Sequence, residues 1–193
     1  MTGLANLRRV MAYAAIVGTL ALVAACGSGG GDSEVPAGPT QGTAAAPAAT
    51  VDPQHLPILT AFEAFVAAAS QAASEADPDH PGLADTADEQ ALITTQRDIQ
   101  QAADQGRRYL GQIRVAAAEV TMLDLDASAP LPNATVVACW DISGYVLVDA
   151  GQSPVPVQRT SERFTVSAQL RHLPDDGGRW IVVTIASDME VPC

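Results

Sequence analysis

The hydrophobic period of this chain changes once. Between about residues 57 and 103 apolar side chains recur every three or four positions; from about residue 110 onward they recur at every second position. A helix carries one apolar stripe at a period of 3.6, and a strand carries one apolar face at a period of 2. Helices followed by strands, without interleaving, argue against a parallel βαβ sheet. They predict an α+β fold in which two N-terminal helices pack on a curved antiparallel sheet of about five strands. The foldable part is thereby confined to 55–193, and residues 1–54 need a different explanation.

Within the folded part, Phe62, Phe65, Val66, Ala69, Ala73 and Ala76 share one face of a first helix over 57–76. The run "DPDHPG" at 77–82 ends it, because Pro78 disfavours helix at Asp77 and Pro81-Gly82 continues the turn. A second helix is expected from Thr86, with Glu89 three residues on completing a capping box. It buries Leu92, Ile99 and Ala103 and stops at Gly106, a natural C′ residue, with Arg107 and Arg108 at the negative end of its dipole. Strands are expected over 110–123, 134–142, 144–149, 156–171 and 179–187. In the fourth, Phe164, Val166, Ala168 and Leu170 face one way and Arg163, Thr165, Ser167, Gln169 and Arg171 the other, so one side of the sheet is covered. "RWIVVTIA" is apolar on both faces, which predicts a central position for the last strand.

Residues 1–9 carry two arginines, and Val10 to Ala25 is a run of 16 residues without charge. As a helix that run spans about 24 Å, short of the ~30 Å hydrocarbon core of a bilayer. A positive start, a short apolar run and a small-residue exit describe a secretory signal peptide over 1–25. The exit Leu22-Val23-Ala24-Ala25-Cys26 resembles a bacterial lipobox, with Val23 in place of the commoner leucine. That resemblance implies a diacylglyceryl group on the Cys26 thiol and cleavage just before it. Two acyl chains anchor stably where one does not. The bland alternative is an ordinary signal peptide with Cys26 an incidental thiol. From Gly27 to Gln54, 21 of 28 residues are Gly, Ala, Pro, Ser or Thr, so 26–54 reads as a tether. Its r.m.s. reach is about 30 Å as a flexible coil. The expected address is the extracytoplasmic face of the cell membrane, through lipid on Cys26.

Charge and composition remove whole classes of function. All ten basic residues are arginine, so there is no lysine for a Schiff base or a phosphate-binding loop. The net charge is −12, and without residues 1–25 it is −14. Such a surface repels nucleic acid, whose binding depends on Lys/Arg contacts with phosphate. It also repels anionic headgroups, so any membrane attachment must come from something other than charge.

The order of elements resembles the cone fold of nuclear transport factor two and ketosteroid isomerase. "NATVVACWDIS" (133–143), "GYVLVDAGQSPVP" (144–156) and "DDGGRWIV" with the final "VPC" resemble a group of actinobacterial secreted lipoproteins of uncertain function. The resemblance implies a cone-shaped domain with a pocket between helices and sheet, and it carries no reaction with it.

With Cys26 acylated, only Cys139 and Cys193 remain, and two exported thiols allow one connectivity. A bridge would pin the end of the chain to the second strand; two separate thiols are the alternative. Among acids, Asp141 stands out. Thr135, Val137, Cys139 and Asp141 share one strand face, and Val136, Ala138, Trp140 and Ile142 the other. If the cysteine face is inward, burial raises the Asp141 pKa toward that of a general base; otherwise it bonds backbone or Ser143 in the following turn. Trp140 and Trp180 are candidates for a ligand pocket. His80, near Asp77 and Asp79, is a weak cation site against the simpler reading of a helix-ending turn, so no metal and no cofactor is expected. Three functions follow. The exported domain binds an apolar small molecule or an envelope protein without catalysis, or uses Asp141 as a ketosteroid-isomerase-like base, or serves as an envelope assembly factor.

Overall fold

The computed structural model describes residues 52–126, 133–174, 176–189 and 191–193. The signal segment, Cys26 and nearly all of the tether lie outside them. The fold is α+β. Among the described residues three helices, α1 (Leu56–Glu75), α2 (Pro81–Thr86) and α3 (Glu89–Asp104), precede six strands. These are β1 (Arg108–Leu110), β2 (Arg114–Asp124), β3 (Asn133–Asp141), β4 (Val146–Val148), β5 (Arg163–Leu173) and β6 (Arg179–Asp188). They form an open four-stranded antiparallel sheet in the order β2-β3-β5-β6 and a separate ribbon of β1 with β4.

Helix α1 follows its apolar stripe, burying Ile58, Phe62, Phe65, Val66, Ala69, Ala72 and Ala73. It is long and apolar enough to cross a bilayer by length and composition alone, yet half of that window is buried inside the domain. The "DPDHPG" stretch is more than a turn. His80 caps α2, its Nδ1 accepting from the Gly82 N–H at 3.1 Å, and Leu83 is fully buried. This corrects the expected capping box. Thr86 ends α2 and its Oγ1 donates to the Gly82 carbonyl at 2.6 Å, while Asp88 caps α3 by accepting from the Glu89 N–H at 2.7 Å. The chain leaves the helical path at Ala87 because that residue is extended and forms a bridge with Val182 of β6. At the other end of α3 the expected Gly106 stop holds. Gly106 has φ +65°, its N–H donates to Ala103 O at 2.8 Å, and Arg107 N–H donates to Ala102 O at 2.9 Å.

Three strand expectations change. The run 110–123 divides at Gly111, which turns with φ +85° so close to Gly144 that a Cβ would stand 1.9 Å from its carbonyl oxygen. Residues 156–162 are irregular, so β5 begins at Arg163. Strand β6 is an edge, not a centre. No further strand pairs with its outer rim among the described residues; the α2–α3 connection covers it instead: the Asp88 N–H donates to Val182 O at 3.0 Å, and the Ile185 N–H donates to the Gln90 side chain at 3.2 Å.

The helices cover the face carrying Ala134, Val136 and Ala138 of β3 with Phe164, Val166, Ala168 and Leu170 of β5, all buried. The cysteine row is therefore on the open face. Between α1 and the sheet, Ile58, Phe62, Phe65, Leu83, Val136, Leu170 and Val182 fill one continuous core. Fully burying each of the larger side chains is worth about 1.5–3 kcal/mol.

Candidate functional site

Asp141 closes β3 on the open face. In register it lies between Arg114 of β2 and Arg163 of β5. Its Oδ2 accepts from Arg163 Nε at 3.1 Å and Nη2 at 3.0 Å, and its Oδ1 accepts from the Ser143 N–H at 3.0 Å. The residue is only 7% exposed. Hydrogen bonds from Ser143, then the bond and charge of Arg163, outweigh burial and lower its pKa from 3.8 to about 2. The raised, base-like pKa required the cysteine face to be inward, and that condition is not met. A carboxylate so acidic and so fully engaged is a poor proton acceptor near neutral pH. The second reading of this residue, a turn-capping acid bonded to Ser143, matches the geometry.

Cys139, two positions back on the same face, forms a disulfide with Cys193, their Cα atoms 5.8 Å apart. The chain reaches it after β6 by crossing β5: Val191 O accepts from the Thr165 N–H at 3.0 Å, and Met189 O accepts from Thr160 Oγ1 at 2.9 Å. An open depression of about 450 Å³ lies here, lined by Asp141, Ser143, Ser161, Glu162, Arg163 and Cys193. Its walls bond to one another, as where Ser161 Oγ donates to Arg163 O at 2.6 Å.

The two tryptophans are not brought together. Trp140 lies opposite Phe164 and meets its ring edge-on, with centroids 6.1 Å apart. Trp180 lies opposite His172, their ring centroids 5.1 Å apart. Phe164 and His172 are eight positions apart on β5, which separates the tryptophans by about 26 Å along the sheet. They line no common pocket. His80 is committed to its cap and to Glu75, whose Oε2 is 3.8 Å from Nε2. Among the described residues no three His, Cys, Asp or Glu side chains converge on a metal position.

Sequence reasoning missed a second cluster. Arg159 donates from Nη1 to Ile142 O at 3.2 Å and from Nη2 to Tyr145 O at 2.6 Å, holding the turn that leads into β4. Tyr145 stacks on Tyr109 with centroids 4.5 Å apart and planes within 3°. Burial, reinforced by Tyr109, raises the Tyr145 pKa. No periodicity signals an arginine that serves backbone carbonyls from an irregular loop.

The chain matches no protein-family model. No curated protein matches it either. Among solved structures it is similar to the crystal structure of the intermembrane space region of the chloroplast protein ARC6, at 13% identity over 72% of this chain and 97% of that chain, with a TM-score of 0.48.

Proposed function

We propose that this protein is an exported lipoprotein whose domain, held at the extracytoplasmic face of the membrane by lipid on Cys26, docks a protein partner without catalysis. The observation that carries the docking reading is the filled space between α1 and the sheet. A domain of this kind built around an enclosed ligand would leave that space open; here recognition is left to the outer surface of the sheet. The committed state of Asp141 argues the same way against a base-catalysed reaction. The lipobox-like exit at Leu22–Cys26, the small-residue tether and the resemblance to actinobacterial lipoproteins support the address.

The test has two arms. Intact mass of the membrane-derived product is expected to begin at a diacylated Cys26, and Cys26→Ala to move the domain out of the membrane fraction. A lipid-free product beginning at Met1 overturns the address. A photocrosslinker at Gln169, on the open face of β5, is expected to give a discrete protein adduct in native membranes. A small molecule co-purifying in stoichiometric amount, with no such adduct, overturns docking.

A further inference from the structure

The edges of the sheets are treated unlike one another. The rim of β6 is covered by Ala87, Asp88 and Gln90, as described above. Beside β4, the Val155 N–H turns inward to Leu147 O at 2.8 Å, and the residues on either side of Val155 are Pro154 and Pro156. Those outward positions have no N–H to offer, which blunts that edge against pairing. Strand β2 is different. It is the outer strand next to β3, 11 residues long, and among the described residues nothing bonds to its outward amides and carbonyls.

We propose that the free edge of β2 accepts an extended, cationic segment of a partner protein as an added strand. The inference rests on the docking reading and names its surface. Main-chain hydrogen bonds would supply the pairing and alternate side chains the selection. By register with β3, the open face of β2 presents Arg114, Ala117, Glu119, Met122 and Asp124 in turn. Its later half is thus acidic and also apolar, with Met122 48% exposed. Basic side chains opposite Glu119 and Asp124, and none opposite Arg114, fix both the chemistry and the direction of the segment.

Charge and shape exclude a second copy as the occupant. A two-fold β2–β2 pairing centred on Glu119 sets that residue against itself, between chains of net charge −12 each. Two register shifts, at Val115/Ala117 and Val120/Met122, also bend the strand. A free peptide can follow such a bend; a second, already twisted sheet must match it over its whole length.

The full chain in detergent micelles is mixed with a nine-residue peptide of alternating valine and lysine, and amide hydrogen exchange is read residue by residue. Outward amides of β2 are expected to slow at least ten-fold while those of β6 do not change. Glu119→Arg, an exposed change that leaves the core untouched, is expected to weaken binding at least ten-fold. The same peptide N-methylated at alternate amides keeps its charge but cannot pair, and should not bind. Equal binding by the methylated peptide, no protection in β2, protection of β2 before any peptide is added, or a dimer protected at β2 each overturn the proposal. A native-membrane adduct from Gln169 but none from position 119 overturns the edge alone and leaves docking standing.

Discussion

At the scale of single residues, a glycine and an acid each make a demand that can be measured. Gly111 combines a positive φ of +85° with a Cβ position 1.9 Å from Gly144 O, so alanine there meets both backbone strain and a rigid obstacle. Gly106 has φ +65° but open space around it. Gly106→Ala is therefore expected to cost about 1 kcal/mol, the price of a left-handed alanine. Gly111→Ala should cost at least about 3 kcal/mol or block folding. Urea unfolding of the two variants separates them, and equal losses would mean that the close approach at Gly144 does not exist in solution. Asp141 makes a pH-dependent contribution whose sign follows from its depressed pKa. The ordinary carboxyl value is 3.8 and the folded value about 2. The native state thus binds this proton less readily than the unfolded chain does. The stabilisation is complete above about pH 4 and is lost as pH falls from about 4 to about 2. Relief of the overall negative charge acts over the same range, so the informative quantity is the difference between wild type and Asp141→Asn. That difference should be constant above pH 5 and shrink below pH 4; a flat difference down to pH 2 would contradict the Ser143 and Arg163 bonding.

At the scale of elements, what could be read from the sequence was whatever depended on one element alone. The alternation of Phe164, Val166, Ala168 and Leu170 marks a strand covered on one face, and those four are the buried row of β5. Gly106 after Ala102-Ala103 marks a helix end, and the end is there. The Cys139–Cys193 pair follows from the expectation of lipid on Cys26, because the two remaining thiols then have a single way to pair. What failed depended on a neighbour. The apolar faces of β6 suggest a central strand, but its rim meets Ala87 and Gln90 rather than a further strand. The corner at Gly111 is imposed by Gly144, 33 positions away, which no local pattern records. Thr86 and Glu89 have the spacing of a capping box, yet Ala87 is drawn out straight by Val182, so Asp88 takes the cap. Asp141 carries two readings in the sequence, and no strand pattern chooses between them, because its surroundings exist only once Arg163 is in register beside it. A row of arginine, threonine and serine opposite the apolar row of β5 was the one available hint that the cysteine side of the sheet is open.

At the scale of the whole molecule, the disulfide and the hydrophobic core contribute independently. Neither Cys139 nor Cys193 belongs to the buried cluster beneath α1, so the core does not require the bond in order to pack. Its effect is exerted instead on the unfolded chain, where joining residues 54 positions apart removes configurational freedom. Chain-entropy reasoning puts that at about 4 kcal/mol, an upper figure because real denatured chains are already restricted. Two consequences should appear together in urea unfolding of wild type and Cys193→Ser. The midpoint should fall, with a loss of about 2–4 kcal/mol. The slope of free energy against urea should also steepen, because an uncrosslinked denatured chain exposes more surface. Far-UV circular dichroism of the folded variant should match wild type, since β3, β5 and the helices keep their packing. A lower midpoint with an unchanged slope would move the effect of the bond to the native state, where Met189 and Val191 are held at Thr160 and Thr165. A variant that loses its helical signal would instead tie the disulfide to the core itself.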